Sequence, residues 1–560
     1  MYEDFIEVIL RRAGERPRQP ALVDEEETVD FGTLRARALR VSASLREAGV
    51  GSGDTVVVQG RRTCTTVVTL LGTMLAGAGY LAVEPTVPPG RLAHMMRRAA
   101  PRLVVSDSAE LFRGFGVPVL GFAQALGSSG EPAEAAPPGA SHAAPAYVMF
   151  TSGTTGVPKD VMVGRLALSW HNRAVRQTFG LTKDDQVLQA ASLSFDVSAE
   201  EIWPTLAAGA SVHFLPQALG ETGYAAFSSF LAARRITVCN LPASYFAGWQ
   251  GYLDLSGEGT AQLRLVVAGS EVLPLESARR WVAHPSRPRL LNAYGASEAT
   301  ITSLACEVRP EVLGADRVPI GEPLPEVVAR VVDDKDREMP AGVVGELLLS
   351  GPGVADGWHR TGDLVRYADG WFWFHGRIDD QVKIQGVRVQ PAEIEAGLLA
   401  VTGAEDARAV AVSGRLVGCL RSARRIDVAQ VRDRLEDLLP AQLMPSEIVV
   451  LETFPTTAGG KVDIPALREL LSISAPSAAR ALDDLDALLC RLWTSLLPAD
   501  TVSEHSDFFV LGGTSLAAAR LVGALRREAG IDCGVRTVFA HSRFGELSAE
   551  LRRKLQEEAA

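Results

Sequence analysis

The 560-residue sequence has few cysteines: six, at positions 64, 239, 306, 419, 490 and 533, with no Cys-x-x-Cys pair. That scatter excludes a disulfide framework and reads as reduced, mostly buried thiols of a cytoplasmic protein. Basic runs are missing as well. The net charge is −11 and no block or stripe of Lys and Arg occurs, which argues against a nucleic-acid partner. The N-terminus, Met1-Tyr-Glu-Asp-Phe5, lacks the basic and apolar regions of a signal peptide. One uncharged stretch, Thr63–Val83, is long enough to cross a bilayer, but glycines and threonines interrupt it and Glu84-Pro85 follows. A buried helix running into a buried strand accounts for it better than a membrane span. There is no internal repeat, and the Gly-x-x-x-x-Gly-Lys-Ser/Thr spacing of a Walker loop is absent.

What remains is a globular chain, 47% hydrophobic and 22% charged, long enough for three or four domains. Short apolar runs bounded by turn residues, at Thr55–Val58, Leu103–Val105, Tyr147–Phe150, Leu263–Ala268 and Glu346–Leu349, predict strands. Helical patterns such as Thr33–Glu47 and Glu200–Ala207 lie between several of them, so the class is α/β with largely parallel sheets. Gly127–Ala144, rich in Ser, Gly, Pro and Ala, predicts an exposed loop. A second break at Ser472–Arg480 predicts a linker, followed by helices at Leu482–Leu497, Ser515–Glu528 and Phe544–Glu557.

Four stretches carry chemistry. Phe150-Thr-Ser-Gly-Thr-Thr-Gly-Val-Pro-Lys159 follows an apolar run, and a loop of that kind can wrap a polyphosphate with backbone N–H groups and hydroxyls. Asn292-Ala-Tyr-Gly-Ala-Ser-Glu298 offers an aromatic for stacking and a carboxylate for a divalent metal, or a strand-end turn with a packed tyrosine. Asp363, after a tight Thr-Gly turn, can accept from a ribose diol, and Arg377 is a forked donor; alone, both are ordinary solvated loop residues. Thr456-Thr-Ala-Gly-Gly-Lys461 sets a lysine at a glycine-rich tip, where it can offset charge at phosphorus or simply be solvated.

In this order the set resembles the adenylation domains of nonribosomal peptide synthetases, within the adenylate-forming ligases, over nearly all of residues 20–465. Further landmarks agree: Leu75-Ala-Gly-Ala-Gly-Tyr-Leu81, Phe195-Asp-Val-Ser198, Gly345-Glu-Leu347 and Leu439-Pro-Ala-Gln-Leu-Met-Pro445. Asp507-Phe-Phe-Val-Leu-Gly-Gly-Thr-Ser-Leu516 resembles the attachment site of a peptidyl carrier domain. The resemblance implies a large N-terminal lobe of packed sheets and helices over residues 1–377 and a small mobile α+β lobe over 378–470 with a hinge at Asp379. A linker at 471–482 and an all-α four-helix carrier at 483–560 would follow.

It also implies roles. An amino acid carboxylate attacks the α-phosphate of MgATP, and the aminoacyl group then passes to the 4′-phosphopantetheine thiol on Ser515. Thr151, Ser152, Gly153, Thr154, Thr155 and Lys159 would surround the β,γ-phosphates, with Asn292, Ala293 and Tyr294 near the adenine and Asp363 and Arg377 on the ribose. Glu298 would hold Mg²⁺, Lys461 would bridge carboxylate and α-phosphate, and the Gly386 loop would line the pantetheine tunnel after the small lobe turns. Asp196 would pair with the substrate ammonium, with Val197, Glu200, Asn240, Val266, Ala268, Ala293, Ile301 and Thr302 completing the pocket.

Glu200 suggests a substrate that brings its own cation: ornithine, lysine, β-lysine or diaminobutyrate. The bland alternative turns Glu200 out to an internal arginine or to water; a β-amino or neutral substrate, an acyl- or aryl-acid ligase, and a silent carrier scaffold stay open. Expected partners are a phosphopantetheinyl transferase, a downstream condensation or acyltransfer enzyme and, as in some relatives, an MbtH-like activator. Four departures stand out: Asp160 in place of a glycine, Gln385 in place of a basic residue, a loop missing between Trp358 and His359, and a short lobe from Glu395 to Leu439.

Overall fold

Two sheets organise the N-terminal two-thirds of the chain. In the nine-stranded sheet a parallel core runs Arg289–Gly295, Leu265–Gly269, Val238–Pro242, Gln186–Gln189, Ser211–Phe214, Pro20–Val23, with antiparallel strands at both edges. The six-stranded sheet places Val119–Leu120, Leu103–Val105, Thr55–Gln59, Gly79–Val83 and Pro145–Thr151 side by side, closed by the antiparallel Lys159–Gly164. A four-stranded antiparallel sheet follows (Val328–Val332, Val344–Ser350, Trp358–Ala368, Trp371–Arg377), then a three-stranded one (Asp406–Val412, Arg415–Arg421, Glu447–Leu451) with the helix Pro391–Thr402 against it. The computed structural model describes residues 3–558 apart from 128–143, 152–157, 379–381, 385–386, 456–461, 474–483, 498–501, 503–505, 509–510 and 512–514. It also leaves out 261, 315, 356, 413–414, 423, 425, 441–442, 452, 530 and 532. The predicted loop 128–143 therefore lies outside the described residues.

Local chemistry sets the elements. The helix Phe31–Glu47 begins two residues before the predicted start because the Asp30 carboxylate accepts from Thr33 N at 2.7 Å, satisfying a first-turn N–H. Thr63 does the same for Cys64–Leu75, whose residues are buried except at Thr65, and the strand Gly79–Val83 behind it is buried throughout. The uncharged stretch is thus a core helix and strand. No helix among the described residues is long and apolar enough to cross a membrane.

The helix Val197–Ala208 is wedged between the two sheets. Trp203 on it is fully buried, packs with Phe5 and Tyr80, and donates its indole N–H to Tyr80 Oη at 3.1 Å. Burying such a ring contributes roughly 2–3 kcal/mol, enough to hold the helix against its internal Pro204. Proline has no N–H, so the Glu200 carbonyl lacks its usual donor one turn later. This is the turn that carries Asp196 and Glu200.

The C-terminal helices Asp484–Leu496, Ser515–Ala529, Val535–Ala540 and Phe544–Glu558 form the all-α unit. Trp493 is fully buried at its centre, edge-on to Phe508 and Phe544. The short third helix docks on Tyr224–Ala233 and Ala243–Ser256 of the large lobe, with Phe539 6.1 Å from the Tyr252 ring. Arg536 donates to Ser256 O at 2.8 Å and Arg543 to Gly220 O.

Candidate active site

The phosphate-loop residues lie on a hairpin. Pro145–Thr151 pairs with Lys159–Gly164 so that Thr151 faces Lys159 and Phe150 faces Asp160. Lys159 is exposed; Ser152, Gly153, Thr154 and Thr155 lie outside the described residues. Asp160 turns to the neighbouring helix, where its Oδ1 accepts from Arg98 Nη2 at 2.5 Å. Partial burial works against its charge, but the Arg98 guanidinium wins and holds the carboxyl below its ordinary range. The anion beside the loop is already neutralised.

Tyr294, Asp363 and Arg377 come from three separate strands and converge. The Tyr294 hydroxyl donates to Asp363 Oδ2, and Arg377 donates to Asp363 Oδ1. Strand register brings Asp363 opposite Arg377. Burial first, and the Asp363 charge second, push the Tyr294 phenol well above its ordinary value, so it stays a donor. Asn292 is buried and spends its amide on Pro319 O at 2.8 Å, so it braces the strand that carries Ala293 and Tyr294.

The turn after that strand is forced. Thr300 and Ile301 both have positive φ, +61° and +68°, a conformation that β-branched residues avoid. The Ile301 carbonyl sits so close to Gly295 that a Cβ there would lie 1.6 Å away, so only glycine fits. The Thr300 hydroxyl secures the turn on Gly353 O at 2.6 Å. Such strain persists where surrounding contacts over-determine it, commonly at a site. Here it presents Ile301, buried in the same apolar cluster as Ala199, and buried Thr302.

Asp196 precedes the helix Val197–Ala208, and its carbonyl accepts from Ala199 N at 2.9 Å. Its carboxylate accepts from Ser297 Oγ. Burial pushes the Asp196 carboxyl up, the Ser297 hydroxyl opposes this, and the charges of Glu200 and Glu298 add to the rise. The charges of Glu200 and Glu298 are thus felt at Asp196. Glu200 lies one helical turn from Asp196, on the same face. It is 3% exposed, with Asn240 Nδ2 at 3.0 Å from Oε1 and His171 Nε2 at 3.0 Å from Oε2. It does not turn out to water, and among the described residues no Arg or Lys is paired with it.

Two expected pocket residues do not join this group. Val266 and Ala268 are buried with Phe246, Trp249 and Trp281 on the opposite face of the sheet. Strand alternation puts Asn240 in register with Val267, whose face packs on the helix Arg165–Thr178 together with Ala293. His171, on that helix, is the member that sequence reasoning missed. A lone histidine 29 residues before Glu200 gives no spacing signal; its only mark is a polar pair, His171-Asn172, on a buried helix face. Lys461, Gly386, Asp379 and Gln385 lie outside the described residues, and Ser515 opens the second helix of the C-terminal unit.

Tyr294, Asp363 and Arg377 brought together on one side, the buried acids Asp196 and Glu200 on another, and a helical unit carrying Ser515 docked on the large lobe fit an AMP-forming adenylating enzyme fused to its carrier. A family model described as AMP-binding enzyme matches residues 9–359, and one described as phosphopantetheine attachment site matches residues 487–551. The chain belongs to the AMP-binding enzyme family, in the adenylation–carrier arrangement of nonribosomal peptide synthetases.

It is similar to the probable non-canonical nonribosomal peptide synthetase CymA of Salinispora arenicola, 33% identical over 97% of this chain but only 7% of the relative. It is similar to syringomycin synthase SyrB1 of Pseudomonas syringae pv. syringae, 31% identical over 93% of this chain and 91% of the relative. The solved structure of holo-PA1221, described as containing adenylation and PCP domains bound to a vinylsulfonamide inhibitor, superposes with a TM-score of 0.78. It is 26% identical, over 99% of this chain and 97% of that one. The chain thus spans a small part of CymA and nearly all of SyrB1 and PA1221.

Proposed function

We propose that the enzyme activates a basic amino acid as its adenylate and loads it on Ser515. The observation that carries the substrate is Glu200: a buried carboxylate, one turn from the ammonium site at Asp196, with no Arg or Lys paired among the described residues. One helical turn rises about 5.4 Å, of the order of the separation between the two amines of diaminobutyrate, ornithine or lysine. Burying a carboxylate costs several kcal/mol. A second ammonium on the substrate removes that cost.

In the adenylation step, Asp196 holds the α-ammonium and the carboxylate points toward the nucleotide. Tyr294 supports the adenine side, and Asp363 with Arg377 grips the ribose. Thr151–Thr155 and Lys159 take the β,γ-phosphates, and Lys461 bridges the attacking oxygen and the α-phosphate. Positioning and charge neutralisation supply most of the rate in such phosphorus-centred chemistry.

Among the described residues no three His, Cys, Asp or Glu cluster as a metal site. Mg²⁺ bound mainly through phosphate oxygens and water needs one carboxylate, and Glu298 fits that need. When bound, the ion would neutralise charge on the phosphates. In the second step the lobe 378–470 turns about Asp379, withdrawing Lys461 and bringing the Gly386 loop to the tunnel. A phosphopantetheinyl transferase would prime Ser515, and a condensation or acyltransfer enzyme would take the product.

Amino-acid-dependent ATP–pyrophosphate exchange over a panel of basic, β-amino, neutral and aryl acids tests the reading. Ornithine, lysine or diaminobutyrate should exceed norvaline and norleucine by about tenfold or more. Equal rates with the neutral chains would overturn it.

A further inference from the structure

His171 has a place in this pocket that neither the pocket pattern nor its position in the chain announces. It lies on the helix Arg165–Thr178, fully buried, edge-on to Trp170, with Nε2 3.0 Å from Glu200 Oε2. Its other ring nitrogen, Nδ1, is buried and has no hydrogen-bond partner. A carboxylate oxygen accepts, so the ring donates to Glu200 through Nε2–H.

We propose that His171 is a positioning residue for substrate selection. Through Nε2 it fixes the orientation of the Glu200 carboxylate. Asn240 does the same from the opposite side, through Nδ2 at 3.0 Å. An arginine or lysine in place of His171 would satisfy Glu200 internally and leave nothing to attract a second amine. Each carboxylate oxygen here accepts one hydrogen bond and keeps a lone pair for the incoming ammonium. The pocket selects a side-chain amine because His171 and Asn240 hold both oxygens in place with those lone pairs still open. This rests on the basic-substrate reading above.

The test is pyrophosphate exchange with the full chain, comparing an amine substrate (ornithine or lysine) with its neutral counterpart (norvaline or norleucine). His171→Leu should raise KM for the amine and lower the amine-to-neutral kcat/KM ratio by about tenfold or more, the size of one charge-assisted hydrogen bond. KM for ATP should stay within about twofold. His171→Gln, which keeps a donor at the same reach, should restore the ratio to within about threefold. In a Glu200→Gln background, His171→Leu should change the ratio no further, since its effect runs through Glu200.

A ratio unmoved in His171→Leu, or equal losses for amine and neutral substrates, overturns the role of His171 while the basic-substrate reading stands. A wild-type enzyme with no preference for the amine overturns both. If His171→Leu fails to fold, His171→Gln and His171→Asn decide. Asn has a shorter reach, and a ratio equal to that of the Gln variant counts against positioning.

Discussion

Asp363→Asn is the substitution whose effect can be worked furthest from the geometry. A carboxylate has about four acceptor positions. Two are in use: Oδ2 accepts from the Tyr294 hydroxyl and Oδ1 from Arg377. The two that remain match a vicinal diol, one hydroxyl per oxygen. Asparagine keeps one oxygen and turns the other acceptor into a donor, so one ribose hydroxyl loses its partner and meets an N–H₂. It also leaves Arg377, whose side chain is 12% exposed, facing a neutral group. Losing one charge-assisted hydrogen bond costs about 1.5–3 kcal/mol, hence roughly ten- to 150-fold in kcat/KM for ATP. KM for the amino acid should move little, because Asp196 and Glu200 are untouched. Pyrophosphate exchange at varied ATP measures the first quantity and at varied amino acid the second; a thermal melt reports what loss of the Asp363–Arg377 ion pair does to the fold. A change of less than about threefold in kcat/KM for ATP would refute the ribose assignment.

Two further outcomes follow from other groups. Glu201 is fully buried on the same helix, and burial pushes its carboxyl up from 4.5 to about 8 against the N–H groups of Ala191, Ala190 and Gln189. An acid whose folded value is raised binds more protons folded than unfolded between those two values, so stability falls as pH rises from 4.5 to about 8 and is flat beyond. His213, lowered to about 4 by burial, works in the opposite direction below 6.5. Glu201→Gln should therefore flatten the decline above pH 6.5 in thermal melts at varied pH; an unchanged slope rejects the assignment. Ser515→Ala should abolish the mass increase on treatment with a phosphopantetheinyl transferase and coenzyme A, yet leave pyrophosphate exchange within about twofold; any remaining mass increase places attachment elsewhere.

The strands were legible because short apolar runs between turn residues have few other uses: Leu103–Val105 falls where expected, and Thr55–Gln59 extends one residue further. Helix starts shifted where a cap decided them, as at Asp30. The helix Val535–Ala540, six residues long, is too short to show periodicity. In the site, the union of Tyr294, Asp363 and Arg377 was legible only through family order, since nothing local ties residues 69 positions apart. Val266 and Ala268 pack in a different apolar cluster from Val267 and Ala293, which a linear pattern does not show, since it does not say which way a strand residue faces. Asp160 and Glu200 are both unexpected carboxylates, and their fates differ by partner: Arg98 from a helix 62 positions earlier neutralises one, while a histidine and an amide hold the other. A sequence shows the acid; only the fold shows what meets it.

The docked carrier gives a prediction about the second half-reaction alone. Its contact with the large lobe runs through the helix Val535–Ala540, with Phe539 near Tyr252 and two guanidinium-to-carbonyl bonds at the rim, Arg536 to Ser256 O and Arg543 to Gly220 O. Phe539 is itself carrier core, so changing it would unfold the unit it belongs to. Arg536 is exposed and Arg543 half-buried, and both can be truncated without touching that core. Bonds of this kind at a wet rim are worth roughly 0.5–1.5 kcal/mol each, so losing both weakens docking by about five- to 150-fold. The tether offsets part of this, because a linked domain rebinds at high local concentration. Arg536→Ala with Arg543→Ala should therefore slow self-loading of Ser515 by several-fold, read as aminoacyl thioester formed in single-turnover time courses. Pyrophosphate exchange, which needs no carrier, should not change. Unaltered loading would show that transfer uses a different docked arrangement, and a parallel loss of exchange would show that the two arginines act on the large lobe itself.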